Sequence, residues 1–214
     1  MTSKDTAAKI LDAAEELFSE KGFAETSLRN ITTKASVNLA AVNYHFGSKK
    51  SLIQAVFSRY LDPFSVQFDQ QIKSLTPEQK NLDYLLKLIV VTMNKSGLED
   101  TRKFGVFMRL LGLAYTQGQG HLRKYLQAEY GEVFSRYMAE VNNVTPELND
   151  EQRFWRIHFM LGAAVFTMSS VDSLMAMADH DLDTRTNIKD VIAQLMTFLA
   201  SGMTAGSLNV EGDA

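Results

Sequence analysis

Side chains able to contact a nucleic acid are concentrated between residues 27 and 50 of the chain. They are Ser27, Arg29, Asn38, Asn43, Tyr44, His45, Lys49 and Lys50, accompanied by the small or apolar Leu39, Ala40 and Ala41. Arginine can donate two hydrogen bonds to guanine, asparagine can pair with an adenine edge, and methyl groups can contact the thymine methyl group. Hydroxyl groups and lysines bind phosphates without reading the base sequence. These residue types predict a DNA-binding surface, with Arg29, Asn43 and the apolar residues directed at the bases.

The local signals in the same stretch predict two short helices joined by a tight turn. The capping residues and helix breakers are, in chain order, Thr26 or Ser27, the 36–38 turn ending at Asn38, Gly47 and Ser48. Hydroxyl and amide oxygens accept hydrogen bonds from the free N–H groups at a helix start, and glycine commonly ends a helix. The segment 39–46 is then the second helix of a helix-turn-helix arrangement, which enters the DNA major groove in this motif.

The charge distribution agrees with a DNA-binding surface. From Ser27 to Tyr60 there are five basic residues and no acidic one, whereas the whole chain has a net charge of −3. A local excess of positive charge is expected where phosphates must be neutralised. The alternative is an ordinary solvated helix pair with a chance imbalance, in which Leu39 packs inside a small domain and Tyr44 and His45 only support the turn.

The order of residues in this region resembles that of a known family. The sequences G-F-A-E-T-S-L-R-N-I and V-N-Y-H-F-G-S-K-K-S-L, within residues 8–60, are similar to the DNA-binding domain of the TetR family of transcriptional repressors. The resemblance implies a base contact at Arg29, while Lys50 is expected to add charge only. It implies phosphate contacts at Ser27, Tyr44, His45 and Lys49. A homodimer on a palindromic operator is expected, because one recognition helix reads only a few base pairs.

The composition favours helices throughout the chain. There are 214 residues with only 3 prolines and no cysteine, which excludes disulfides and cysteine-ligated metals. We expect an all-α protein of about nine helices, with a three-helix helix-turn-helix domain at 1–60, a ligand-binding and dimerisation domain at 61–205, and a flexible tail at 206–214. We expect no cofactor and no membrane association, and the polar N-terminus favours a cytoplasmic, nucleoid-associated protein.

Five expectations concern helix boundaries. The first helix should run from about residue 5 to residue 21, and the fourth should end or kink at Pro63. Pro77 should lie in the first turn of the following helix. A single helix should span about 151–178 and be buried on more than one face, because it is apolar on nearly every side. The last helix should open at Thr184.

The second half of the chain is rich in methionine and phenylalanine, which can line an adaptable apolar cavity. The candidate ligand-binding residues are Phe104, Phe107, Met108, Arg109, Leu111, Phe134, Phe159 and Phe166. The alternative for each is ordinary core packing. A ligand carboxylate would need a cation or donor, for which Arg109, His121, Arg123 and His158 are candidates.

In the TetR family the last two helices pack against the same pair of a second chain as a four-helix bundle. The resemblance therefore implies a dimer interface near the C-terminus. Its candidate residues are Phe159, Gly162, Val165, Ile192, Leu195 and Leu199. The alternative is that these residues belong to the core of a single chain.

Further stretches, including F-M-R-L-L-G-L-A, G-H-L-R-K-Y-L and H-F-M-L-G-A-A, resemble the PsrA-type subgroup of that family. The resemblance implies a repressor of fatty-acid degradation genes that is released by a long-chain fatty acid or acyl-CoA. The alternatives are a repressor of the same fold that responds to a different apolar ligand, and a helical lipid-binding protein without a DNA role. An enzyme is not expected, because the chain has no metalloprotease motif or glycine-rich phosphate loop.

Overall fold

The computed structural model describes residues 3–97 and 100–206, and residues 207–214 of the predicted tail lie outside the described residues. Within these ranges the chain forms ten α-helices and no strand, which confirms the prediction of an all-α protein with about nine helices. The helices are α1 Ser3–Glu25, α2 Leu28–Ala35, α3 Leu39–Phe46, α4 Lys49–Lys73, α5 Leu82–Lys95, α6 Thr101–Thr116, α7 Gly120–Val144, α8 Asp150–Ser169, α9 Val171–Leu182 and α10 Ile188–Thr204.

The first four helices enclose a compact apolar core. Its fully covered side chains, each 0% exposed, include Ile10, Phe18, Ile31, Val42, Leu52 and Val56. Regular α1 geometry is interrupted at Gly22, whose φ of 82° and ψ of 169° require a residue without a Cβ atom. The interruption lies where the sequence predicted the end of the first helix, and one further turn follows it, up to Glu25.

An end of helix α4 at Pro63, one of the two outcomes predicted there, does not occur. The helix continues to Lys73, because it is buried on both sides of the proline. Tyr60 and Leu61 pack into the N-terminal core, whereas Phe68 and Ile72 pack into a second core formed with α5 and α7. Tertiary packing thus outweighs the loss of one backbone hydrogen bond at proline. As a result, a single helix connects the helix-turn-helix region to the rest of the chain.

The prediction that Pro77 opens a long helix is wrong. Pro77 begins a separate 3₁₀ turn that ends at Gln79, and α5 starts only at Leu82. Two local caps produce the break. The side chain of Gln79 accepts a hydrogen bond from the backbone N–H of Thr76, and that of Asn81 accepts one from the N–H of Tyr84. Polar side chains of this kind favour turns and helix starts over helix interiors.

The predicted helix over 151–178 is divided into α8 and α9, whose axes are bent by 75°. Ser170 has a non-helical φ of −122° and ψ of 15° between them. The guanidinium of Arg109 donates a hydrogen bond to the Ser169 carbonyl (2.8 Å), so this carbonyl is satisfied from outside the helix. At the last helix, Asn187 rather than Thr184 provides the cap.

Helix α8 is also less buried than predicted. Within this helix, which is described throughout, only Arg153 and Met168 are buried. No single helix in the described ranges is long and apolar enough to cross a membrane. Helices α8 and α9 reach that length and apolar composition only when they are taken together, across the bend between them.

Candidate nucleic-acid interface

Helix α3 is held to the core by Val42, with Ala41 and Phe46 packed against the same core, and exposes Leu39, Ala40, Asn43 and Tyr44. Of its eight residues, all of which are described, only Val42 is fully buried. Leu39 is 51% exposed and Tyr44 is 81% exposed. The exposure of Leu39 does not agree with the alternative in which it packs inside the domain. Ala40 and Asn43 are exposed as well, while Ala41 and His45 are half-buried.

The predicted caps are confirmed at atomic detail. The Ser27 hydroxyl accepts from the N–H of Asn30 (3.1 Å), the Asn38 amide oxygen accepts from Ala41 (2.9 Å), and the Ser48 hydroxyl accepts from Ser51 (3.1 Å). Of the two candidates for the first cap, Ser27 has this role. Because the oxygen of Asn38 is engaged in the cap, its amide NH₂ group is the part of this side chain left to donate to DNA.

The positive charge of the interface is smaller than the number of basic residues in the sequence indicated. Lys34 forms an ion pair with Glu16 of α1 (2.6 Å), and Arg59 forms ion pairs with Asp12 and Glu15 of α1. Three cations remain, Arg29, Lys49 and Lys50, which form no ion pair with any described residue. Helix α1 thus neutralises the two basic residues that sequence proximity had grouped with the DNA-contacting set.

The corner between α1 and α2 is held by buried polar contacts. Thr26 is fully buried, and its hydroxyl lies 3.0 Å from the carbonyl oxygen of Leu17 and 2.8 Å from that of Gly22. The ammonium of half-buried Lys49 lies 3.4 Å from the Ala24 carbonyl oxygen. A third contact comes from far along the chain, where the Gln117 side chain accepts a hydrogen bond from the backbone N–H of Phe23 (2.9 Å). Sequence reasoning missed this role of Gln117, because no local pattern marks it.

The structure places the candidate ligand residues in different parts of the molecule. Phe107 and Met108 are buried in the N-terminal core, where the ring centroid of Phe107 lies 5.0 Å from that of Tyr60. Phe104 and Leu111 are half-buried against the same core. Phe134 packs near Phe68 on the other core and is 39% exposed. Phe159 and Phe166 are directed outward, with 67% and 63% exposure.

Two of the four candidate carboxylate anchors are already bonded to backbone. Arg109 donates to the Ser169 carbonyl, and the His158 Nδ1 atom lies 2.7 Å from the Phe154 carbonyl oxygen. Arg123 is exposed. His121 has a buried Nε2 atom without a hydrogen-bond partner among the described residues. Burial, followed by the positive charge of Lys50, lowers the pKa of His121.

Among the concavities of the described surface are two grooves that are open to solvent. One, of about 510 Å³, lies along the start of α8 and is lined by Glu151, Gln152, Trp155, Arg156 and Phe159. The other, of about 400 Å³, is lined by Asp62, Pro63, Val66, Gln67, Lys95 and Ser96. Phe159 is the one member of the predicted ligand set that lines either groove. The other seven predicted ligand residues line neither of these two grooves.

The predicted dimer residues separate into two groups. Val165, Ile192 and Leu195 pack against buried residues of their own chain, and Leu199 is 7% exposed. Phe159 and Gly162 are exposed. Sequence reasoning omitted other outward aromatic side chains, namely Phe154 (53% exposed), Trp155 (51%) and Phe198 (65%). We call the exposed rings of Phe154, Trp155, Phe159, Phe166 and Phe198 the aromatic face.

Two family profiles match the chain. Residues 10–56 match "Bacterial regulatory proteins, tetR family", and residues 96–202 match "Tetracyclin repressor-like, C-terminal domain". Among solved structures of similar fold is a gamma-butyrolactone receptor (ArpA-like protein), with a TM-score of 0.53 and 18% identity, covering 96% of this chain and 100% of that one. A Clostridium perfringens protein described as a fatty acid metabolism regulator has a TM-score of 0.50 and 18% identity, covering 91% and 97%.

Curated relatives match over the N-terminal part of the chain. The HTH-type transcriptional repressor Rv3405c of Mycobacterium tuberculosis is 39% identical over 74 residues, which are 35% of this chain and 37% of that protein. The HTH-type transcriptional regulator UidR of Escherichia coli is 31% identical over 88 residues, 41% and 43% of the two chains. The chain thus spans about two fifths of the length of these relatives. The two profiles together with the helix-turn-helix geometry show that the chain belongs to the TetR family of DNA-binding transcriptional regulators.

Proposed function

We propose that this chain is a repressor of fatty-acid degradation genes, which binds a palindromic operator as a homodimer and is released by a long-chain fatty acid or acyl-CoA. The observation that carries the DNA-binding part is the outward face of α3 next to three cations without acidic partners in the described ranges. The division into a DNA-binding domain at 1–60 and a second domain at 61–205 is part of the proposal.

In this proposal the interface residues divide between reading bases and binding phosphates. Arg29 and Asn43 are exposed and carry the donors that pair with guanine and adenine edges. Leu39 and Ala40 supply the methyl groups for thymine contacts. The phosphate contacts come from Ser27, Tyr44, His45 and Lys49, and Lys50 adds positive charge. We expect the two half-sites to lie about 34–36 Å apart, or a multiple of that spacing.

The aromatic face supports the homodimer. Five large rings that are more than half exposed in a single chain form an apolar surface of the kind that marks a protein interface. Trp155 and Phe159 stack with ring centroids 6.0 Å apart, and large aromatic residues are enriched among the side chains that dominate binding energy. In the proposal, a second copy placed on this face supplies the second α3 helix that a palindromic operator requires.

The fatty-acid effector rests on the resemblance to PsrA-type regulators. Burial stabilises an acyl chain by about 0.8 kcal/mol for each CH₂ group. Summed over a chain of roughly 16 carbons, this free energy exceeds a total binding cost of about 4–15 kcal/mol, except at the upper end of that range. Since Phe107 and Met108 are packed against the N-terminal core, a ligand entering beside α6 would displace contacts with α4. Helix α4 begins at Lys49, so its movement would reach the phosphate-binding residues.

A repressor of the same fold with a different apolar ligand is the second candidate. The observation that favours it is the state of the proposed anchors, because Arg109 and His158 are bonded to backbone carbonyls instead of facing a cavity. A ligand without a carboxylate would not need to break these contacts.

The experiment that tests the proposal measures binding to the DNA upstream of the protein's own gene, in moderate salt, with and without oleate or oleoyl-CoA. Selective binding that either lipid abolishes supports the complete proposal. Selective binding that is indifferent to both lipids keeps the repressor and removes the fatty-acid effector. Equal affinity for upstream and random DNA removes the repressor function.

A further inference from the structure

The backbone at the corner between α1 and α2 departs from helical geometry at Gly22, so the N–H group of Phe23 takes an acceptor from outside the helix. The extended ψ of Gly22 turns the chain out of helical geometry just before Phe23. Phe23 is 1% exposed, so its N–H group has little access to water. A buried backbone donor without a partner is costly, and such groups are therefore almost always paired.

The missing acceptor is provided by Gln117, which lies 94 positions further along the chain. Its Oε1 atom is 2.9 Å from the Phe23 nitrogen. The same amide lies directly on Gly22, since a Cβ atom at that position would be 2.5 Å from the Gln117 Nε2 atom. The close approach and the hydrogen bond together fix the Gln117 side chain in one position on the corner.

Gln117 is itself firmly placed at the end of α6. Its backbone N–H donates to the Leu113 carbonyl (2.9 Å), and its own carbonyl accepts from the side chain of Gln119 (3.2 Å). The 117–119 connection leads directly into α7, where Leu122 is buried in the N-terminal core. The contact on Phe23 thus extends from a defined backbone position in the α6–α7 connection.

The corner that Gln117 completes lies immediately before Ser27, the first residue proposed to bind phosphate. Ser27 follows the buried Thr26, whose hydroxyl contacts both Leu17 and Gly22. Lys49 reaches the same corner through the carbonyl of Ala24. A shift of the corner would therefore move the Ser27 cap and release Lys49.

We propose that Gln117 is a positioning residue for DNA binding, which holds the α1–α2 corner so that Ser27 and Lys49 face the phosphates together. The inference rests on the proposed DNA-binding function. It makes operator affinity depend on the position of the α6–α7 connection, which belongs to the part of the chain that does not touch DNA. The essential group is the hydrogen-bond acceptor at Oε1.

The test compares Gln117→Met, which has similar length but no comparable acceptor, with Gln117→Glu, which retains the acceptor oxygen. Gln127 is a glutamine on the surface of α7, so Gln127→Met and Gln127→Glu are the matched controls for apolar and charge effects. The probe is the duplex that the wild-type protein selects from a random pool. Fluorescence anisotropy over a range of salt concentrations gives Kd, and hydrogen exchange reports the Phe23 amide.

We expect Gln117→Met to bind the duplex roughly tenfold more weakly, as for the loss of one buried hydrogen bond. The slope of log K against log salt should fall by about 0.9 for each phosphate that the variant no longer neutralises. Exchange at Phe23 should accelerate, whereas Gln117→Glu and both Gln127 variants should stay close to wild type. If Gln117→Met does not fold, Gln117→Ser replaces it under the same criteria.

Unchanged or tighter binding by Gln117→Met overturns the proposal, as does an equal loss in Gln117→Glu. Weaker binding with an unchanged salt slope and a lower Tm also overturns it, because it indicates general destabilisation. If the wild-type protein selects no duplex, the DNA-binding function fails, while hydrogen exchange at Phe23 still reports separately whether Gln117 holds the corner.

Discussion

The face of α3 and the aromatic face are both uncovered in the single chain, but their chemistry differs. Helix α3 has one fully buried side chain, Val42, and lies beside three cations that no described acidic group neutralises. The aromatic face carries five large rings. A surface of the first kind binds a charged partner in a salt-dependent manner, whereas one of the second kind binds an apolar partner. Exposure therefore marks two candidate interfaces, and side-chain chemistry distinguishes the partners proposed for them.

The largest expected effect comes from placing charge on the aromatic face. Phe159→Glu should weaken self-association at least about 30-fold, since a central aromatic residue of an interface contributes about 2 kcal/mol or more. Sedimentation equilibrium would measure the association constant. Val91→Glu, at a position 41% exposed on α5, is the control. A Phe159→Glu protein that associates like the control would show that the second copy does not cover this face.

A smaller effect is expected at Arg29, the proposed base-reading residue. Arg29→Ala should cost about 1–3 kcal/mol of operator binding and relax specificity at one base pair, because the bidentate hydrogen bonds to guanine are removed. Competition between the operator and single-base variants measures both quantities. Equal losses on operator and random DNA would remove Arg29 as a base reader.

Lys34 in α2 and Lys49 at the start of α4 are a matched pair of lysines, one in an ion pair and one without an ion pair among the described residues. Lys49→Ala should weaken operator and random DNA alike and lower the slope of log K against log salt by about 0.9. Lys34→Ala should leave the slope near its wild-type value, because Lys34 is paired with Glu16. Titrations at several salt concentrations would check this contrast. Equal slopes for the two variants would contradict the division of the cations into paired and available ones.

The smallest effect concerns pH. Burial and the neighbouring charge of Lys50 lower the pKa of His121 in the folded chain, so the unfolded chain binds this proton more readily. Stability should therefore decrease as the pH falls through the unfolded pKa of about 6.5. His121→Gln should reduce the decline in Tm between about pH 7 and pH 5, and the exposed His180→Gln should not. Identical pH profiles for all three proteins would refute this role.

The helix-turn-helix region was predictable because its signals are local. Ser27, Asn38 and Ser48 each bond to a backbone N–H three residues ahead, so capping depends on neighbours in the sequence. Gly47 likewise ends α3 through its positive φ of 72°. The second half was less predictable, since a run of apolar residues does not indicate which neighbour covers it. Val165 and Phe166 are adjacent, yet one packs inward and the other is exposed.

Pro63 and the Ser169–Ser170 pair also show that local signals do not fix where a helix ends. Pro63 lies within a helix that is buried on both sides, whereas the Ser169–Ser170 pair ends one because Arg109 satisfies a carbonyl from another helix. Neither outcome depends on local propensity alone. Both depend on contacts formed after the helices pack together.

The amino-acid sequence by itself determined the helical class, the capped helix-turn-helix and the set of residues expected to face DNA, because these depend on contacts within one or two helical turns. The tertiary structure decided which cations remain available, which aromatic residues stay exposed and how the α1–α2 corner is completed. Lys34 is neutralised by Glu16, and Phe23 is bonded to Gln117. These pairings join residues distant in the chain, and only the packing of whole helices brings them within hydrogen-bonding distance.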